Sequence, residues 1–188
     1  MAVNTVLRVE GTIVEACPDC GARLGMSVTC QSMFDVLLAV EFSDPAYGEV
    51  HFLTVASFMI QHNCYSDAAL AWIWGRLHAY REDHHPLSEI QRFAMGGPNN
   101  ALRSWKVLHS SSDQPLPKIA WRVTIADVAD LAGDAVSYRR AVRLWGESIL
   151  EQMDVLVNGQ ASYDKDRDQK SPVWGLYEKK RRRRDLNP

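Results

Sequence analysis

The stretch CQSMFDVLLAVEFSDPAYGEVHFLTVASFMIQH, residues 30–62, predicts two helices joined by a short turn. Over 30–42 the apolar residues recur at the spacing of one helical face. Pro45 and Gly48 then interrupt the pattern, and a second helix with a broad apolar face is predicted over 49–62. Because the turn is short, the second helix should return antiparallel to the first. The residues expected on the buried face of the first helix are Phe34, Leu37, Leu38 and either Glu41 or Phe42.

The rest of the chain also favours helices over strands. A helix over 68–82 has good N-terminal caps in Ser66 and Asp67, and a helix over 135–157 carries an apolar stripe along one side. Only residues 4–14 alternate as a short strand or hairpin would. Further helices are predicted over 86–95, 99–110 and, with Thr124 and Asp127 as caps, 125–132. The predicted fold class is all-α, a bundle of about five or six helices.

Length and charge divide the chain into a body and a tail. The 188 residues, 46% of them hydrophobic, fit one helical domain over 1–157 and a flexible linker with a basic tail over 158–188. The tail holds nine Lys/Arg and five Asp/Glu, a net charge of +4, against 12 and 18 in the body, a net charge of −6. Neither a signal peptide nor a membrane span is expected. We therefore expect a cytoplasmic protein with reduced thiols and no membrane contact.

Three of the four cysteines lie close together in EACPDCGARLGMSVTC, residues 15–30. The Cys17-x-x-Cys20 spacing lets one tight turn direct both sulfurs at a metal about 2.3 Å from each, and Gly21 allows the chain to bend round the ion. Cys30, at the start of the first helix, is the expected third ligand. A redox pair would normally need a strand–helix context, and the cysteine spacings match no ferredoxin-type cluster. The sequence therefore predicts a zinc knuckle at the N-terminal end of the helical bundle.

The fourth ligand has three candidates, His51, His62 and Cys64. The two histidines are eleven residues apart, about 16 Å along a continuous helix, so they cannot bind the same ion. In an antiparallel pair the end of the second helix returns to the level of Cys30, which favours His62, with Cys64 as the close competitor. Three thiolates and an imidazole would close the tetrahedron and exclude an activated water. The predicted cofactor is therefore a structural zinc ion.

Several motifs resemble those of DUF5946, a bacterial family that is not tied to an activity. They are CPDCG, C-x3-FD-x-LL-x2-EFSDPAYGEVH, LTV-x5-QH, W-x2-TIADV and, in the last helix, VRLWGES. The resemblance covers roughly residues 15–155. The resemblance implies that the family pattern includes Cys17, Cys20, Cys30, His51 and His62. Asn63 stands where the family's proline is expected after QH. Cys64 lies outside the pattern, which weakens it as a ligand.

His51 has two interpretations. It shares a helical face with Val55 and Phe58, so it should point toward the core. As a structural residue it would bond to the turn at 43–48 and clamp the two helices together. As a functional residue it would be a ligand of a second site, or an acid or base beside Glu41, Asp44 or Glu49. We favour the clamp, because no second histidine lies three or four residues away to form a metal pair.

The last sixteen residues, VWGLYEKKRRRRDLNP, contain six consecutive basic residues. They are Lys179, Lys180, Arg181, Arg182, Arg183 and Arg184. Such a run can bind the phosphates of RNA or DNA or an acidic protein surface, or it can simply keep the chain soluble. We predict a small zinc-binding helical protein that acts as a binding or adaptor module through this tail. No reaction can be read from the sequence, and the alternatives are a metal-dependent hydrolase or transferase using His51 and an accessory subunit of a larger complex.

Overall fold

The computed structural model describes residues 16–25, 27–82, 86–90, 108, 109, 111, 113 and 115–164. Its helices are α1 (Cys30–Ser43), α2 (Pro45–Gly48), α3 (His51–Gln61), α4 (Asp67–Glu82), α5 (Ile125–Ala129) and α6 (Ala135–Asp164). Residues 87–90 are also helical. Extended pairing within these residues is limited to isolated bridges between Ala16 and Arg23 and between Tyr65 and Leu108. The predicted all-α class is confirmed.

The first three helices form the predicted pair, with a one-turn helix in the connection. α1 begins with a capping box in which Thr29 and Ser32 each bond the other's backbone N–H. Asp44 ends α1, and its side chain caps α2. α3 starts two residues later and ends one residue earlier than the predicted 49–62. The capping residues thus place Cys30 at the first position of α1.

The core lies where α3 packs along α6. Gly146 allows the close approach, because a Cβ at this position would lie 3.2 Å from the Cδ2 of Leu53. The residues of α6 that the sequence predicted on one face are buried: Tyr138, Val142, Trp145, Ile149 and Met153 fully, and Leu156 partly. On α4, the side chains of Leu70, Trp74 and Leu77 are buried and lie on one face of the helix.

The buried face of α1 includes Glu41, although the sequence left either Glu41 or Phe42 as the buried residue at this point of the helix. Glu41 is buried, whereas Phe42 is 76% exposed. Phe34 and Leu37 lie on the same side of the helix as Glu41 and are buried with it. The Glu41 carboxylate accepts hydrogen bonds from side chains of α3 and α6, which offset its desolvation.

The last helix is longer than predicted. α6 continues to Asp164, so residues 158–164, which were assigned to the flexible linker, are helical. Of the helix predicted over 86–95, residues 87–90 are helical, and the element predicted over 4–14 lies outside the described residues. Of the helix predicted over 99–110, residues 99–107 and 110 lie outside the described residues, whereas Leu108 forms a bridge with Tyr65 and is not helical. In the part of the chain that the structure describes, no helix has both the length and the apolar character needed to cross a membrane.

Candidate metal centre

Cys17 and Cys20 lie in one tight turn. The Cys17 N–H donates to the Ala22 carbonyl at 2.8 Å, and the Gly21 N–H donates to the Cys17 carbonyl at 2.9 Å. Gly21 has a φ of 77°, in the left-handed region that glycine enters without a steric penalty. The Ala22 N–H also faces the Cys20 Sγ at 3.5 Å. The turn therefore directs both sulfurs to one side and provides an amide donor for a thiolate.

Cys30 enters the same space from the first turn of α1. Its Sγ lies 3.6 Å from the Sγ of Cys20, and both residues are buried. This separation is far longer than a disulfide bond of about 2.05 Å, and all four cysteines are free. Three thiols from two segments of the chain thus converge without being joined covalently.

A Schellman motif at the end of α3 brings His62 to this cluster. His62 is the C-cap residue, and Asn63 follows with a φ of 50°. The Asn63 N–H donates to the Ile60 carbonyl at 3.0 Å, and the Cys64 N–H donates to the Met59 carbonyl at 2.9 Å, which is the bonding pattern of this motif. The chain therefore reverses direction immediately after His62.

The His62 ring is fixed in the tautomer that a metal ligand needs. Its Nδ1 lies 2.8 Å from the backbone carbonyl of Phe58, and because a carbonyl can only accept, Nδ1 carries the proton. Nε2 then holds a lone pair, and it lies 3.8 Å from the Sγ of Cys17. The ring stacks on Phe58 at a centroid distance of 4.1 Å, and Phe58 stacks on Phe34 at 3.9 Å. A metal-ligating histidine commonly donates its other N–H to such a carbonyl.

The four donor atoms form a cluster of tetrahedral size. The ligand atoms of Cys17, Cys20, Cys30 and His62 all lie within 4.8 Å of one another. Around a tetrahedral zinc ion with zinc–sulfur bonds of about 2.3 Å, neighbouring sulfurs are about 3.8 Å apart. The separation of 3.6 Å between the sulfurs of Cys20 and Cys30 agrees with that spacing.

The electrostatics of the cluster differ from one thiol to the next. Burial raises the pKa of Cys20 to about 11, and burial together with the neighbouring Cys20 also raises the pKa of Cys30. Burial acts to raise the pKa of Cys17 too, but the backbone N–H groups of Cys20 and Asp19 outweigh it, and the pKa of Cys17 is lowered. Three thiolates in this space therefore need a cation to balance their charge.

The other two ligand candidates lie apart from this cluster. The Cys64 Sγ faces the carbonyl of His62 at 3.4 Å and is not one of the four clustered donors. His51 lies at the opposite end of α3, with its Nδ1 2.7 Å from the Oε2 of Glu41. The clamp interpretation placed the partner of His51 in the turn at 43–48, and this was wrong. The partner is Glu41, which lies on the buried face of α1.

The family comparison covers the whole of this site. The model of a family of unknown function, DUF5946, matches residues 15–154. The chain belongs to the DUF5946 family. The match begins two residues before Cys17 and ends within α6, so all four donors lie inside it. No curated protein and no solved structure matches the chain.

Asn63, where the resemblance led us to expect a proline, has a defined role in this chain. Proline could not adopt its φ of 50° and has no N–H to donate to Ile60. The Asn63 side chain also accepts a 3.1 Å hydrogen bond from the N–H of Leu116. The end of α3 is therefore built around asparagine in a way that proline would not permit.

Two contributors to the chemistry of α3 escaped the sequence analysis. The Phe58 carbonyl, which fixes the His62 tautomer, lies four residues before His62, and that spacing was a usable signal. The hydroxyl of Tyr138, which bonds Glu41 across 97 residues of chain, left no local signal. The basic run at 179–184 lies outside the described residues.

Proposed function

We propose that Cys17, Cys20, Cys30 and His62 bind one zinc ion that stabilises the helical domain. The observation that supports this most is the convergence of four donors from three separate segments, with the lone pair of His62 Nε2 facing the thiols. A reducing cytoplasm, the expected location, would keep the thiols available to a metal. The ion would join the N-terminal knuckle to the beginning of α1 and the end of α3.

Zinc suits this donor set better than other common metals. Thiolate and imidazole ligands in a tetrahedron favour zinc, whereas calcium and magnesium take oxygen ligands. Three thiolates and one imidazole fill all four positions, so no position is left for a water or a substrate. The proposed role of the metal is therefore structural, and the domain would act by binding rather than by catalysis at zinc.

Metal content of the purified protein tests this proposal. Elemental analysis should find about one zinc per chain in the wild type and a large loss in His62→Ala, because the fourth ligand is removed. Cys64→Ser is the matched thiol control and His51→Ala the matched histidine control, and both should retain zinc. Absence of zinc, iron in its place, or loss in His51→Ala with retention in His62→Ala would refute the assignment.

We also propose that the basic tail binds the phosphate groups of a nucleic acid, and that this nucleic acid is the partner of the module. The net charge of +4 over 158–188, against −6 over 1–157, supports contact through the tail alone, because an acidic body repels phosphate. Each of the six adjacent cations can neutralise a backbone phosphate and release its counterion. An acidic protein surface is the competing partner for the same run of charge.

A salt titration of two matched variants separates these partners. Removing 165–188 leaves α6 complete, and replacing 179–184 by glutamine keeps the length while removing the charge. Contact with about six duplex phosphates predicts a logarithmic salt slope of about −5, or about 10³ in affinity between 50 and 200 mM salt. Unchanged nucleic-acid binding in both variants would refute the role of the tail, and binding to acidic protein but not to nucleic acid would replace phosphate with a protein partner.

A further inference from the structure

The Glu41 carboxylate is buried at the junction of α1, α3 and α6. Its side chain is 1% exposed. Oε1 accepts hydrogen bonds from the Tyr138 hydroxyl at 2.6 Å and the Thr54 hydroxyl at 2.5 Å. Oε2 lies 2.7 Å from the Nδ1 of His51. A buried carboxylate is expensive unless its oxygens are bonded in this way.

Counting protons fixes the state of His51. Burial, and then the neighbouring Glu41, raise the pKa of Tyr138, so its hydroxyl is protonated and donates. The single proton of the Thr54 hydroxyl goes to Glu41 at 2.5 Å rather than to the Val50 carbonyl at 3.4 Å. Because a carboxylate can only accept, the hydrogen between Glu41 Oε2 and His51 Nδ1 belongs to His51 Nδ1. In the neutral ring Nε2 then holds a lone pair.

This lone pair belongs to a side chain that reaches the surface. His51 is 23% exposed at its side chain, and no other described residue bonds to its Nε2. The ring of Phe42 lies beside it, with centroids 5.0 Å apart and planes 55° apart, and Phe42 is 76% exposed. His51 is not among the described residues that cluster as metal ligands. A proton acceptor and an exposed aromatic face thus lie next to each other.

We propose that His51 and Phe42 form a binding site for a small molecule that carries a weakly acidic hydroxyl on an aromatic group. The ligand ring contacts Phe42, and the ligand hydroxyl donates a hydrogen bond to His51 Nε2. The Nδ1 N–H of the neutral ring keeps its hydrogen bond to the Glu41 carboxylate, as in the carboxylate–histidine pairs of general-base catalysts. Glu41 acts as a positioning residue, because it sets the tautomer of the His51 ring without contacting the ligand itself.

The site is independent of the proposed zinc centre. Cys30 and Glu41 are eleven residues apart on α1, about 16 Å along the helix. The two sites therefore lie at opposite ends of the α1–α3 pair. A variant that disturbs one should leave the other measurable, and zinc content serves as the check that the domain is folded.

Nitrogen NMR of the histidine rings, followed by titration with phenol and toluene, tests the proposal. The wild-type His51 should carry its proton on Nδ1, and phenol should bind about tenfold more tightly than toluene, since only phenol can donate to Nε2. In Glu41→Gln the amide NH2 faces Nδ1, so the proton should move to Nε2 and the preference for phenol should disappear. Glu49→Gln is the matched control, because it makes the same change at an exposed glutamate that bonds Arg139 and Arg143. It should leave the His51 tautomer and the preference for phenol unchanged.

Three results would overturn the proposal. They are a proton on Nε2 of the wild-type His51, toluene binding as tightly as phenol, and a Glu41→Gln variant that keeps both the tautomer and the preference. Should Glu41→Gln fail to fold, His51→Ala and Phe42→Ala decide in its place. His51→Ala should lose the preference for phenol, whereas Phe42→Ala should weaken the binding of phenol and toluene alike. A preference retained in His51→Ala, or binding of both ligands unchanged in Phe42→Ala, would also refute the site.

Discussion

Replacing Asn63 with proline should break the end of α3 and release His62 from the metal cluster. Proline requires a φ near −65°, whereas Asn63 has a φ of 50°. Three hydrogen bonds would be lost: the Asn63 N–H to Ile60, the Cys64 N–H to Met59, and the Leu116 N–H to the Asn63 side chain. At about 1 kcal/mol each, the free energy of unfolding should fall by about 3 kcal/mol.

Asn63→Gly is the matched control for this change. Glycine keeps the left-handed backbone and loses only the bond from Leu116, so its cost should be about 1 kcal/mol. Thermal unfolding at fixed zinc concentration should show a drop in Tm of about 6–12 °C for Asn63→Pro and about 2–4 °C for Asn63→Gly. Only the proline variant should lose zinc. If Asn63→Pro retains zinc and is as stable as Asn63→Gly, the described end of α3 is not what positions His62.

Three further predictions concern the knuckle, the buried tyrosine and the metal. Gly21→Val should weaken zinc binding about tenfold in a chelator competition, because a β-branched residue resists the positive φ of this position. Gly21→Asn should weaken it much less, because asparagine tolerates a positive φ and no atom lies within 4 Å of the added Cβ. The raised pKa of Tyr138 stabilises the fold below the ordinary tyrosine pKa of about 10, and this contribution is lost as the pH rises above that value. Urea unfolding at pH 9 and 11 should therefore show a smaller alkaline loss in Tyr138→Phe, and an equal loss would contradict the burial of its hydroxyl. Removing the metal with a chelator should speed amide exchange over 16–25 and 27–29 more than in α4 and α6; uniform acceleration would mean that the ion stabilises the entire core.

The helices and the four clustered donor residues were largely readable from local sequence. The bounds of α1 and α3 follow from apolar spacing and caps, which act within a few residues. The cysteine knuckle is equally local, because two residues between Cys17 and Cys20 determine how their sulfurs are directed. The choice of His62 needed one further step, the antiparallel return of α3, which the short turn at 43–48 made predictable.

The features that escaped prediction depend on contacts distant in sequence. Spacing could not decide whether Glu41 or Phe42 faces the core, since the decision rests on Tyr138, 97 residues away. Hydrophobicity favoured Phe42, but a carboxylate with three hydrogen-bonding partners is the residue inside. The length of α6 was also missed, because the charged residues after 157 suit an exposed helix as well as a linker.

The proposed zinc centre has a consequence for the entropy of the unfolded chain. Cys17 and His62 are 45 residues apart, so an ion bound to both closes a long loop and acts as a cross-link. The chain-entropy relation for a disulfide closing a loop of this length gives about 4 kcal/mol at 25 °C. In a reducing compartment a disulfide would be reduced, whereas a zinc cross-link would persist and would strengthen as free zinc rises. The attachment of the N-terminal segment to the bundle would therefore depend on metal supply rather than on the redox state of a disulfide.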